Sequence, residues 1–222
     1  REYIAVPEND CYILPESLSD EDAVMIEPTT IAIQSCTRAE LEKEDMLLIY
    51  GAGALGSSIL KIAHTICDHI IVADIMDDKL AEAKQNGASY TINVATENFQ
   101  EKVLEYTKGR GATVSIDAAC VKNSLLLLLQ ATGNAGRVIT MGFSTAATEV
   151  NQFLITSKEL DVRGSRLQNK MFGKAIEMIE KGTLDLNHSI SHTFPLTKAQ
   201  EAFDFVDSRD PSIRKIVFTF DF

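Results

Sequence analysis

The stretch IYGAGALGSS, Ile49 to Ser58, decides the fold of this chain. Its three glycines follow the pattern GxGxxG, directly after the apolar run MLLIY and at the start of a helical pattern. In such a loop the first glycine makes a tight turn, the second lets the backbone approach a pyrophosphate, and the third lets helix and strand pack closely. The start of the helix presents free N–H groups and a positive dipole end to the phosphates. A glycine turn without a ligand has the same pattern, but the strand and helix around this one favour a dinucleotide bound by Gly51, Gly53, Ala54, Leu55 and Gly56.

An acidic residue follows at the distance expected for a ribose contact. The next β-rich run, HIIVADI, contains Asp74, which lies 18 positions after Gly56. A carboxylate there can accept hydrogen bonds from both hydroxyls of an adenosine ribose, and it would repel a 2′-phosphate. Ile75 and Met76 supply no arginine for such a phosphate, so we predict NAD rather than NADP. Lys79 could donate to the same ribose, or it could be a solvated helix lysine.

The hydrophobic pattern from residue 46 onward alternates between strands and helices. Predicted strands cover residues 46–50, 69–75, 89–94, 112–119, 136–143 and 161–166. Predicted helices lie near 55–67, 77–86, 97–107, 121–132 and 151–158. Most of the strands are nearly continuously apolar at their centres, which is typical of strands covered by helices on both faces. The pattern predicts an α/β fold with a six-stranded, doubly wound parallel sheet of the Rossmann type.

The two ends of the chain lie outside this pattern. Residues 1–27 begin with an extended piece and continue into a short helix that Ser19 can cap. Residues 167–222 hold an amphipathic helix that ends at Gly182, a strand-turn-helix pattern and a closing strand. We therefore expect a dinucleotide-binding domain over 28–166, with the two ends packed together as the remnant of a second domain.

Composition excludes several classes of protein. The 222 residues carry a net charge of −11, which disfavours nucleic acid and anionic membrane surfaces. No apolar run approaches the roughly 20 residues of a membrane helix. The four cysteines are scattered, with neither a CxxC pair nor a spacing typical of a zinc site. We therefore expect the protein to reside in a reducing cytoplasm, without disulfide bonds. The chain begins Arg-Glu-Tyr, without methionine or a signal-peptide pattern, and we interpret it as an excised piece.

Several stretches together resemble the zinc-dependent medium-chain alcohol dehydrogenases, and in particular the sorbitol/polyol dehydrogenase branch. They are EYIAVP, AVMIEPTTIA, YGAGALG, IVADIMDDKLAEAKQNGA, IDAAC, RVITMGF, KELDVRGSR and ISHTFPL, in the order of the family. The resemblance implies a GroES-like catalytic domain and hydride transfer between NAD and a polyol or sugar-acid substrate. It also implies a homodimer or homotetramer, formed through the edge of the sixth strand. The cysteine and His-Glu zinc ligands of the family would precede Arg1, so we expect this piece to bind the cofactor without turning over.

The segment DAVMIEPTTIA places Glu27 before Pro28 among apolar residues, so we expect this carboxylate to be shielded from water and to need a partner. By resemblance, Glu27 is a zinc ligand or is bonded to zinc-bound water; a helix cap or a pair with an arginine are the alternatives. Arg166, at the end of the sixth strand, matches an arginine near the substrate and the zinc-bound water. It could pair with Glu27, hold a substrate hydroxyl or form an interdomain salt bridge.

The residues that follow strands four and five lie where a nicotinamide would sit, at the carboxyl ends of a parallel sheet. They are Ala118, Ala119, Met141, Gly142 and Phe143, and each could equally belong to the core or to a loop. Two rival functions stay open. One is a zinc-free, NADPH-dependent quinone reductase of the same superfamily, against which Asp74 and the Glu27-Pro28 pair both count. The other is a non-catalytic module that binds a dinucleotide.

Overall fold

A computed structural model describes residues 4–16, 18–184, 186, 190–208, 210 and 212–220. The strands of its main sheet are β1 (Met46–Tyr50), β2 (His69–Asp74), β3 (Tyr90–Asn93), β4 (Ala112–Asp117), β5 (Thr132–Thr140) and β6 (Asp161–Gly164). All are parallel, in the spatial order β3-β2-β1-β4-β5-β6. The predicted six-stranded, doubly wound α/β sheet is confirmed. Because strand order reverses between β1 and β4, a crevice opens beyond their carboxyl ends, Tyr50 and Asp117, which lie side by side.

Helices connect the strands and cover the sheet. They are α1 (Asp20–Ala23), α2 (Ile26–Arg38), α3 (Ala54–His64), α4 (Asp77–Gln85), α5 (Phe99–Tyr106), α6 (Ser124–Ala131), α7 (Gln152–Lys158), α8 (Phe172–Glu180) and α9 (Ala199–Asp207). The Ser19 hydroxyl accepts a hydrogen bond from the Asp22 amide and caps α1, as predicted. Among the described residues, no helix combines the length and the apolar character needed to cross a membrane.

The apolar centres of the strands are explained by burial on both faces. Alternate residues of β1 enter two different hydrophobic clusters, with Leu47 and Ile49 on one side and Leu48 and Tyr50 on the other. The first cluster is completed by α2, α3, α4 and α8, and the second by α5, α6 and α7. The sheet is therefore the middle of three layers, and its functional groups are confined to the ends of the strands.

The structure corrects several predicted boundaries near the crevice. β4 ends at Asp117 rather than at residue 119, because the amides of Ala118 and Ala119 both turn back to the Tyr50 carbonyl. α6 begins at Ser124 rather than near residue 121, because Asn123 has a left-handed backbone (φ 68°) that a helix cannot include. β6 is likewise two residues shorter than predicted and ends at Gly164.

The two ends of the chain do meet. The Tyr12 ring stacks on Phe172 of α8 at a centroid distance of 5.4 Å. The C-terminal part adds a separate two-stranded parallel sheet of β7 (His192–Pro195) and β8 (Ile216–Thr219), with α9 packed against β7. The predicted boundary between residues 27 and 28 falls in the first turn of α2, and the division into domains stays a prediction.

Candidate functional site

The glycine loop joins β1 to α3 at the crevice, and two of its glycines are required by close contacts. Gly51 has φ 106°, and a Cβ there would lie 2.8 Å from the Ala119 nitrogen. A Cβ on Gly56 would lie 1.8 Å from the Gly51 carbonyl oxygen. At Gly53, by contrast, no described atom lies within 4 Å of an added Cβ. The loop is therefore tightly packed at its two ends and open at its centre, where a ligand could approach the backbone.

Asp74 ends β2 and is bonded to this loop. One carboxylate oxygen accepts a hydrogen bond from the Ala52 amide (2.6 Å), and the other accepts from the amides of Ile75 (2.8 Å) and Met76 (3.0 Å). An ionised carboxylate offers about four acceptor positions, so roughly one remains free for an incoming hydroxyl. Asp74 thus holds the loop in place and keeps some capacity for a ligand, although less than the two ribose hydroxyls expected from sequence would use.

A pocket opens beside Gly53 and Ala54 at the start of α3. The sequence predicts only part of its basic lining. It is lined by Lys61, Lys79, Arg214 and Lys215, of which sequence reasoning had named Lys79. The Arg214 guanidinium also pairs with Glu82 at 2.9 Å. Lys61 lies about two turns into the predicted helix, and its distance along the chain from the glycine loop could have indicated that it lies near the pocket. Four basic side chains and one acid, Glu82, thus line a pocket beside a helix N-terminus, in a chain of net charge −11, and this local excess of positive charge favours an anion.

The residues predicted for the nicotinamide end do come together. The turn from Ala118 to Cys120 packs on the glycine loop, and a Cβ on Gly142 would lie 3.6 Å from the Cys120 Cβ. On either side of Gly142, Met141 is buried and the Phe143 side chain is 70% exposed. Burial raises the pKa of the Cys120 thiol to about 11, with the neighbouring Asp117 carboxyl adding to the effect. Cys120 is therefore a thiol at neutral pH and a poor nucleophile.

Glu27 and Arg166 do not meet in the structure. Glu27 lies in the first turn of α2 and is exposed, which corrects the expectation that it is shielded from water. The apolar residues around it face the core, while its own side chain points outward, and in the described part of the chain it forms no ion pair. The helix cap is also excluded, since Met25 occupies that position. The Arg166 guanidinium lies over the Phe143 ring, 5.6 Å from its centroid.

Candidate metal ligands do not cluster in the part of the chain that the structure describes. No group of three or more His, Cys, Asp or Glu side chains is placed to hold a metal ion in the described part of the chain. His188, one of the four histidines of the chain, lies outside the described residues. The described residues alone therefore do not fit a zinc ion.

Comparison with known proteins places this geometry in a family. The family model of zinc-binding dehydrogenases matches residues 54–181. The starvation-sensing protein RspB of Escherichia coli K12 is 34% identical over 221 residues, which cover 99% of this chain and 65% of RspB. The chain belongs to the zinc-binding dehydrogenase family. The resemblance drawn from its motifs is thereby confirmed.

Other dehydrogenases agree with this assignment. Bovine sorbitol dehydrogenase is 29% identical over 199 residues, covering 88% of this chain and 56% of that enzyme. A crystal structure of the RspB alcohol dehydrogenase from E. coli CFT073, complexed with NADH, matches with a TM-score of 0.90 and 34% identity, over 95% of this chain and 63% of that one. The chain thus spans roughly three fifths of the length of these relatives, and carries the dinucleotide-binding portion of a zinc-binding dehydrogenase.

Proposed function

We propose that this chain is the NAD-binding portion of a zinc- and NAD-dependent dehydrogenase that transfers a hydride between a polyol or sugar-acid secondary alcohol and NAD. The observation that carries the proposal is the loop that is packed at Gly51 and Gly56, open at Gly53 and tied to Asp74. The NADH in the RspB structure and the sorbitol dehydrogenases among the relatives support it.

The residues of this chain would bind and orient the cofactor. The N–H groups at Gly53 and Ala54, with Lys79 and Arg214 beside them, favour the negative charge of a diphosphate. The remaining acceptor position on Asp74 would take a ribose hydroxyl. Ala118, Met141, Gly142 and Phe143 would bound the nicotinamide end. When bound, NAD supplies the hydride acceptor, while the protein supplies position and electrostatics.

Cofactor preference tests the proposal directly. We expect the purified chain to bind NADH more tightly than NADPH, because a 2′-phosphate would meet the Asp74 carboxylate. Asp74→Ala should lower the NADH affinity by about tenfold or more, the effect of losing one hydrogen bond to a charged group, and narrow the difference between the two dinucleotides. Isothermal titration calorimetry measures both affinities.

Asp78→Ala is the matched control, because Asp78 is an exposed acid in the first turn of α4 and should leave both affinities unchanged. Tighter binding of NADPH than of NADH would contradict the proposal and favour the quinone reductase alternative. No heat with either dinucleotide would refute dinucleotide binding altogether.

The proposed zinc ion would take most of its ligands from polypeptide outside the described residues. Glu27 would lie beside the metal, as a ligand or through water, and Arg166 would hold a substrate hydroxyl. Both side chains are exposed, so Glu27 is available to a metal ion and Arg166 to a substrate. By itself the chain should bind NADH without oxidising polyols.

The metal requirement is tested on the whole enzyme, the protein that contains this chain together with the zinc ligands. Dialysis against a chelator should abolish oxidation of polyols and aldonic acids with NAD, while NADH binding persists, and added zinc should restore the activity. Activity that survives once metal analysis finds no zinc would exclude a zinc-dependent reaction.

We also propose that the enzyme is a cytoplasmic homo-oligomer. β6 lies at the edge of the described main sheet, where pairing across a two-fold axis would give a homodimer or, with a second interface, a homotetramer. Sedimentation of the whole enzyme as a monomer at micromolar concentration would contradict this. A cytoplasmic location and a small-molecule partner remain parts of the same proposal.

A further inference from the structure

The Arg214 side chain is held at one edge of its guanidinium. Its Nε donates to a Glu82 carboxylate oxygen of α4 at 2.9 Å, across 132 positions of the chain. Among the described residues, no acceptor bonds to its two terminal nitrogens, Nη1 and Nη2. A guanidinium carries five N–H donors in a plane, so four of them stay available at the end that recognises phosphate oxygens. Because Arg214 and Glu82 both line the pocket beside Gly53 and Ala54, these donors are available to a ligand of that pocket.

The backbone of Arg214 is fixed as well, where β7 and β8 begin. The Arg214 amide donates to the Ser191 hydroxyl oxygen at 2.9 Å. The same hydroxyl lies 3.1 Å from the Lys215 carbonyl oxygen, which also accepts the Ser191 amide at 2.9 Å, and 3.0 Å from His192 Nδ1. Ser191 directly precedes β7, and Lys215 directly precedes β8. Ser191 therefore ties the segment that carries Arg214 to the neighbouring strand.

Orientation of Arg214, rather than charge, is what Glu82 can add to the pocket. A carboxylate weakens the attraction of a pocket for an anion, so its presence does not favour phosphate directly. An unanchored arginine has many rotamers, and a ligand that must immobilise it loses affinity. Glu82 limits these rotamers before the ligand arrives, and Ser191 fixes the backbone from which the side chain starts. The two side chains of the ion pair are 51% and 31% exposed, so the pair contributes little to folding and can be removed from a folded chain.

We propose that Glu82 and Ser191 are positioning residues, which orient the Arg214 guanidinium toward the diphosphate of a bound nicotinamide dinucleotide. This role rests on the proposed function, because it supposes that the dinucleotide occupies the crevice beside the glycine loop.

Two neutral substitutions of Glu82 differ in whether they can accept a hydrogen bond. Glu82→Gln keeps an oxygen that can accept from Arg214 Nε, whereas Glu82→Ala removes it, and both remove the negative charge. We therefore expect Glu82→Gln to bind NADH about fivefold more tightly than Glu82→Ala, the effect of fixing one flexible side chain before binding. Isothermal titration calorimetry on the purified chain measures both affinities.

The same comparison in an Arg214→Ala background shows whether Glu82 acts through Arg214. Arg214→Ala itself should lower the NADH affinity by about tenfold, the effect of a lost hydrogen bond to a charged group. In that background Glu82→Gln and Glu82→Ala should bind NADH equally, because no guanidinium remains to be oriented. A purely structural role of Glu82 in α4 would keep the difference in both backgrounds.

Ser191 is tested by removal and by conservative replacement of its hydroxyl. Ser191→Ala removes the acceptor of the Arg214 amide and should weaken NADH binding by about fivefold. Ser191→Thr keeps a hydroxyl at the same place and should restore the affinity. Ser212→Ala is the matched control, because Ser212 lies in the same segment but its hydroxyl bonds to Asp210, so NADH affinity should not change.

Several results would overturn the positioning role and leave the proposed function intact. For Glu82 they are equal NADH affinities of the Gln and Ala variants, or a difference that persists without Arg214. For Ser191 they are wild-type affinity of Ser191→Ala, a loss that Ser191→Thr does not restore, or an equal loss in Ser212→Ala. Absence of NADH binding by the wild-type chain would instead refute the proposed function, and the positioning role with it.

Discussion

Gly56→Ala should abolish NADH binding and destabilise the chain. The new Cβ would lie 1.8 Å from the Gly51 carbonyl oxygen and 2.8 Å from the Gly51 carbonyl carbon. Both are backbone atoms of the glycine loop, so neither can rotate away, and α3 must move off β1. Overpacking of this kind costs about 1–3 kcal/mol even where side chains can adjust, so we expect at least that loss. Urea unfolding measures the stability, and calorimetry measures the NADH affinity.

Gly53→Ala separates the loss of NADH binding from the loss of stability, because it changes the same loop without a steric clash. No described atom lies within 4 Å of its Cβ, so we expect the stability of the free chain to be nearly unchanged. The methyl group would instead occupy the space through which a diphosphate approaches the backbone, and NADH affinity should fall. If Gly56→Ala bound NADH like wild type, or Gly53→Ala had no effect on binding, the loop would not be the cofactor site.

Of the changes that leave cofactor binding unaffected, Arg137→Met should cause the largest loss of stability. The Arg137 guanidinium pairs with Asp45 at 2.6 and 2.9 Å and donates to the carbonyls of Ala39 and Glu40. Asp45 is 6% exposed, so removal of the arginine leaves a buried charge without its partner. Such a change typically costs about 3–5 kcal/mol. Chemical denaturation measures this loss, and NADH titration should give the wild-type affinity, since these groups lie near the opposite ends of the strands from the glycine loop.

The control for Arg137→Met is an ion pair that remains in water. Lys181 pairs with Glu177 on the exposed side of α8, and Lys181→Ala should leave the stability unchanged within error, because solvent screens such a pair. The double variant Asp45→Asn with Arg137→Met should lose less than the sum of the two single changes, since each alone strands its partner. Additive losses would mean that the two side chains do not stabilise each other.

The sequence was most informative where structure depends on neighbours in the chain. The glycine loop, Asp74 and the apolar runs of the sheet were predicted because turn geometry, strand burial and helix spacing act over a few residues. The position of Ser19 at the start of α1 follows from the same kind of local rule. These features were sufficient for the fold and for the placement of the glycine loop beside Asp74.

Other parts of the site depend on contacts between distant segments. Arg214 and Lys215 reach the pocket from the far end of the chain, and no local pattern marks them. β4 stops at Asp117, earlier than predicted, because the amides of Ala118 and Ala119 donate to the Tyr50 carbonyl of another strand. The exposure of Glu27 depends on which face of α2 packs on the core. Each of these required the packed structure.

β6, one of the two edge strands of the main sheet, has a consequence for aggregation. β6 is four residues long, and two of them, Asp161 and Arg163, are charged and joined to each other at 2.6 Å. A short, charged margin of this kind is a poor template for indiscriminate strand addition, the route by which unfinished sheets grow into aggregates. The open margin of the sheet at β6 therefore disfavours indiscriminate pairing between copies of the chain.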